Sequence, residues 1–233
     1  MIEQNKNCWL YKECNHIDCD GHCIRYYKLN YLYEEGLIPL HNRVRIKLFS
    51  DKDTKTSDKE VFKYLSEYEA DINNHIEKGD NLYIHSTICG NGKTSWALRM
   101  AQTYLNNIWT TTPLTCRVLF INVPHFLLAL KDSLNNKNEY AEHIKQNVYE
   151  TDLVIWDDIG NKTATQFESD NLLSIIDARI NNGKANIYTS NLSDSEMQQY
   201  LGDRLASRII NFSKCVELKG SDKRGIRRWK CMK

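Results

Sequence analysis

From Asn81 onward, short apolar runs alternate with stretches of helical period. Leu82 to His85, Cys116 to Asn122 ("CRVLFIN"), Leu153 to Trp156 and Ala185 to Thr189 are apolar runs of strand length. Between them, Thr94 to Leu105 and Gln166 to Asn182 carry helical patterning, and Gly183 closes the second. A further helix from Asp194 opens on a capping box, with Ser193 and Glu196 at S-x-x-E spacing. Alternation of this kind predicts crossover helices over a parallel sheet, an α/β fold.

Upstream the pattern differs. Val61, Leu65, Tyr68, Ile72 and Ile76 recur at three and four residues, which predicts one helix from Lys59 to Glu77, ended by Gly79. Residues 41 to about 60 include "FSDKDTKTSDKE", polar and without apolar period, and read as a linker. Residues 1–40 are rich in Cys, His and Tyr and too short to bury a core unaided. Three zones follow: 1–40, 41–79 and 80–233.

Composition narrows the function classes. A net charge of +1, from 31 basic and 30 acidic side chains, gives no global basic field, so contact with nucleic acid needs a local patch. The start, "MIEQNKNCWLYKEC", lacks the apolar run of a signal peptide, and no stretch approaches the apolar length of a membrane span. The expected compartment is the cytoplasm, where thiols stay reduced.

The chemistry concentrates in "HSTICGNGKTSW", His85 to Trp96. A phosphate loop, G-x-x-x-x-G-K-[ST], uses glycines to bring backbone N–H groups onto phosphate oxygens, a lysine for the outer phosphates and a hydroxyl for magnesium. Gly90, Asn91, Gly92, Lys93, Thr94 and Ser95 supply it between a strand and a helix, whose N-terminus adds partial positive charge. Thr87 stands where the opening glycine usually falls. "LVIWDDIG" is an apolar strand ending in Asp157 and Asp158. At the carboxyl end of a parallel strand Asp157 reaches the phosphates and can hold magnesium, leaving Asp158 to orient or deprotonate a water.

Together, "GNGKTSWA", "WDDIG" and "IYTSNLS" followed by "LGDRLASRI" resemble the AAA+ helicase-loader ATPases of the DnaC/DnaI type over residues 80–225. The clostridial and phage members are similar also in the Cys-rich start and in "LFINVPHFLLALK". The resemblance implies a RecA-like P-loop core without a C-terminal lid, binding ATP and magnesium. It makes the loop Walker A, Asp157 the Walker B ligand and Asn191 the sensor that positions water. Asp158 stands where many relatives carry glutamate, one methylene longer. Of Arg204 and Arg208, one turn apart, Arg208 is the first choice for a finger reaching a neighbour's γ-phosphate, and Arg224 resembles the second sensor. The implied partners are a replicative helicase, single-stranded DNA and further copies of the chain.

Cys8, Cys14, Cys19 and Cys23 fall within 16 residues, at spacings of five, four and three. Four thiols in a segment lacking a core suggest structural zinc, with His16 or His22 as substitute ligands; an iron–sulfur cluster and unliganded thiols remain alternatives. The tyrosines and leucines that follow (Tyr26, Tyr27, Leu29, Tyr31, Leu32, Tyr33, Leu37) are expected to offer a face to a partner, on a head free to move. From Lys219 to Lys233 seven basic residues surround Trp229, a composition suited to single-stranded DNA. Competing functions are an IstB-like transposition ATPase acting on duplex DNA and a regulatory module that binds ATP with little turnover.

Overall fold

The computed structural model describes residues 8–10, 14, 22–39 and 58–222. The elements run α1 (Ile24–Glu35), α2 (Lys59–Ala70), α3 (Ile72–Glu77), β1 (Asn81–His85), α4 (Lys93–Ile108), β2 (Val118–Asn122), α5 (Val123–Asp132), α6 (Glu139–Asn147), β3 (Leu153–Asp157), α7 (Gln166–Asn181), β4 (Ala185–Ser190), α8 (Asp194–Leu201), α9 (Asp203–Asn211) and β5 (Ser213–Glu217). The strands form one sheet in the order β2-β3-β4-β1-β5, parallel throughout. All carboxyl ends therefore share one edge, and β4 lies between β1 and β3.

The four expected strands are present, and β5 joins them at the edge. Its sequence, "SKCVE", is half polar and only Val216 is buried, so it lacks the apolar run that betrays a central strand. The single helix expected over residues 59–77 is two, α2 and α3, meeting at Asp71. Asp71 leaves helical geometry (φ −106°, ψ 23°), and its carboxylate accepts from Asn74 Nδ2 at 2.8 Å.

The face expected of the Tyr/Leu segment is corrected by burial. Leu29, Leu32 and Tyr33 on α1 are fully buried and share one core with Leu65 of α2, Leu82 of β1 and Ala101 of α4. Backbone contacts fix the helix there: Phe120 N donates to Gly36 O (2.8 Å), and the Cys116 thiol donates to Glu35 O (3.3 Å). Burying two leucines and a tyrosine contributes about 1.5–3 kcal/mol per side chain, which favours a docked α1 over a free head. Ile24 and Tyr27 stay exposed on the opposite side.

The amino end of the sheet is pinned by a buried cation. Arg179 is inaccessible, and its guanidinium donates to Asn186 Oδ1 (2.7 Å), Ala185 O (2.6 Å), Thr151 O (2.9 Å) and Val148 O. Carbonyl oxygens, not a carboxylate, satisfy the charge, and burial lowers the guanidinium's pKa only to about 10.

At the start of α7 a second buried charge makes stability depend on pH. Glu168 is fully buried in a capping box with Thr165, and Lys131 and Lys162 each place Nζ at 2.9 Å from its carboxylate. Burial pushes the carboxyl up, but the Thr165 amide and hydroxyl and the two ammonium groups outweigh it, holding the pKa down to about 2. A depressed carboxylate stabilises the fold above its unfolded pKa and stops doing so as pH falls through the folded value. Glu168→Gln is thus expected to cost on the order of 1–3 kcal/mol at pH 7 in urea denaturation, discounted for the exposed lysines. That gap should close as pH falls from about 4.5 towards 2.

Candidate nucleotide site

The loop from Ser86 to Gly92 leaves β1 and enters α4 at the carboxyl edge of the sheet. Gly90 (φ 73°) and Gly92 (φ 111°) both lie in the left-handed region, where a side chain is strained. Thr87 has no such requirement, since the described non-glycine residues with positive φ are Leu37 and Asp158. A β-branched residue can therefore replace the opening glycine without distorting the loop. Ser86 ties the loop together, its Oγ accepting from Ile88 N (3.0 Å) and Asn91 Nδ2 (2.6 Å). Asn91 also donates to Leu218 O (3.0 Å) and is buried.

Lys93 opens α4 and is buried, its ammonium donating to Ile88 O at 3.1 Å. The cation is already folded along the loop, where the first N–H groups of α4 also point. Next to it, Thr94 Oγ1 donates to Asp157 Oδ1 at 2.7 Å. The hydroxyl and carboxylate that a magnesium ion needs are in contact, both hard oxygen donors. The residues present fit that ion and a nucleotide's phosphates.

Asp157 ends β3 almost fully buried, and Thr189 Oγ1 on β4 is a second donor to its Oδ1 at 2.7 Å. Burial raises the Asp157 pKa, the Thr189 and Thr94 hydroxyls pull it back, and the neighbouring Asp158 charge raises it. Thr189 also fixes Asp158: its Oγ1 accepts from Asp158 N at 3.0 Å, and its carbonyl accepts from Ile159 N at 2.9 Å. Asp158 is thereby held at φ 56°, a conformation that costs a non-glycine residue of order 1 kcal/mol and clusters at functional turns. No short motif singles Thr189 out. Its signal was its place two residues before Asn191 on a strand next to the Asp157 strand.

Asn191 follows β4, and the Cys89 thiol of the loop lies 3.9 Å from its Oδ1. The loop, both aspartates and Asn191 thus converge from β1, β3 and β4. The α9 arginines differ from each other. Arg208 Nε lies 2.7 Å from Asp177 Oδ1 on α7, and its guanidinium covers the Phe212 ring at 5.4 Å. Arg204, one turn earlier, is exposed. Arg224 and Cys19 lie outside the described residues. Cys8, Cys14 and Cys23 are among the described residues, and Cys23 Sγ caps α1 by accepting from Tyr26 N at 3.4 Å. Among the described residues no cluster of three or more His, Cys, Asp or Glu is placed to hold a metal, and no helix is long and apolar enough to cross a membrane.

A parallel α/β sheet with a phosphate loop after β1 and an acidic strand end at β3 defines the AAA+ class of P-loop ATP-binding domains. The chain belongs to the IstB-like ATP binding protein family, whose description matches residues 53–230. It is 28% identical over 92 residues to the replicative helicase loader DnaC of Escherichia coli K12, a match spanning 40% of this chain and 38% of that protein. In fold it is similar to the crystal structure of the DnaC helicase loader (TM-score 0.57, 18% identity, covering 71% of this chain and 92% of that one). It is similar also to DnaI (0.58, 19%, 77% and 94%) and to a primosome component of Streptococcus pyogenes serotype M3 (0.59, 18%, 83% and 98%).

Proposed function

We propose that the chain is an assembly-dependent ATPase that loads a replicative ring helicase onto single-stranded DNA. The observation that carries the reading is the contact set joining Thr94, Asp157, Thr189 and Asp158 at one edge of the sheet. In that role the loop amides and Lys93 bind the phosphates, and Thr94 and Asp157 hold magnesium, which supplies charge neutralisation when bound. Asp158 orients the attacking water and accepts its proton, with Asn191 as a second polar contact. The water oxygen joins the terminal phosphorus as the bond to the leaving ADP oxygen breaks.

The finger is assigned to Arg204. Arg208, the first choice from sequence, already spends its guanidinium on Asp177 and Phe212, whereas Arg204 is exposed and available to a neighbouring subunit. Structural zinc on Cys8, Cys14, Cys19 and Cys23 remains part of the proposal, supported by the density of four thiols within 16 residues. The basic C-terminal stretch and a second-sensor role for Arg224 stand on sequence in the same way. The DnaC and DnaI likenesses support helicase as the partner, and a transposition partner on duplex DNA is the rival reading.

Fluorescence anisotropy with labelled single-stranded and duplex oligonucleotides, with and without ATP, separates the two. A loader should prefer the single strand, with affinity falling as salt rises. Equal or tighter binding to duplex would move the assignment to the transposition class.

A further inference from the structure

The chain after β5 returns across the phosphate loop. Leu218 N donates to His85 O (2.9 Å) while Leu218 O accepts from Asn91 Nδ2 (3.0 Å), so residue 218 is stitched to both flanks of the loop. The next two amides are clamped: Lys219 N and Gly220 N donate to Asp58 Oδ1 and Oδ2 at 2.7 and 2.6 Å. Asp58 is buried beside α2 and spends both carboxylate oxygens on this task. The strap then ends on Asp222, whose carboxylate lies against the Cα of Gly90. A Cβ built on that glycine would meet Asp222 Oδ1 at 2.0 Å, Cγ at 2.5 Å and Oδ2 at 2.9 Å.

We propose that residues 218–222 form an autoinhibitory strap, in which the Asp222 carboxylate stands against Gly90 of the phosphate loop and must move away before a nucleotide's phosphates can enter. The inference rests on reading this loop as the nucleotide site. A carboxylate held against the loop and an incoming phosphoryl group are like charges, and their repulsion opposes simultaneous occupation. Closure by the strap lowers the fraction of binding-competent molecules, and apparent affinity falls by that fraction. Gly90 itself sits at φ 73°, where a side chain is strained, and a Cβ there would push the Asp222 carboxylate aside.

The test is calorimetric titration of the full chain with ATP and magnesium. Asp222 is exposed, so Asp222→Asn and Asp222→Gly leave the core intact. Both should tighten apparent binding about tenfold, as expected if the open form is near one-tenth populated. Asp58→Asn, which weakens the clamp on the two amides, should shift affinity the same way. The Asp58→Asn/Asp222→Asn double variant should bind no tighter than the better single, because both act on one strap. Unchanged or weaker binding by both Asp222 variants overturns the strap. Lys93→Ala keeps the two claims apart: if it binds ATP like the wild type, the nucleotide-site reading itself fails. If Lys93→Ala loses binding while the Asp222 variants gain none, only the strap fails.

Discussion

Arg204→Ala is expected to lower ATP turnover in the assembled state by about 10³–10⁵-fold while leaving ATP binding by the separate subunit intact, the cost of losing an arginine finger supplied in trans. Subunit mixing localises the effect. Asp158→Ala subunits lack the carboxylate proposed to orient water but keep their own Arg204, so mixing them with Arg204→Ala subunits should restore complete half-sites and part of the activity. Arg208→Ala should instead act within its own subunit, removing the pair with Asp177 and the contact with Phe212. Its expected cost is about 0.2–1 kcal/mol of stability, because both partners are partly exposed. Rescue by Arg208→Ala mixtures and none by Arg204→Ala mixtures would return the finger to Arg208.

The second large effect belongs to Lys93. Lys93→Ala should weaken ATP binding by at least about 100-fold, roughly 3 kcal/mol, the scale of charge-assisted hydrogen bonds lost from a pre-formed site. Its ammonium is already buried along the loop. Alanine suits the first turn of a helix, so circular dichroism should be unchanged. Binding is read by calorimetry with magnesium present and absent.

Much of this site is legible in the sequence. The four apolar strands and the loop between Ser86 and Thr94 are where periodicity and glycine spacing put them, because buried parallel strands cannot hide their apolar runs. Thr87 departs from the glycine pattern, and its backbone does not need a glycine. Other features were not legible, for physical reasons. Strand β5 has a polar edge and only one buried side chain, so no window of sequence marks it. Helix α1 hides its purpose among tyrosines: Leu29, Leu32 and Tyr33 have the spacing of a buried stripe, but aromatic density reads equally well as an exposed face. Arg204 and Arg208 are equivalent in sequence, and only Asp177, contributed by a different helix, tells them apart. The strap contact between Asp222 and Gly90 joins residues far apart in the chain and has no local signature at all.

The central claim, an ATP-driven loader, is met most directly by a closed single-stranded DNA circle carrying an annealed oligonucleotide. A ring helicase has no free end to thread there, so strand release reports ring loading. The account predicts that helicase from the same host releases the oligonucleotide only when this protein and ATP are both present, and that Lys93→Ala does not support release. Release at the full rate without the protein, or equally with Lys93→Ala, would contradict it.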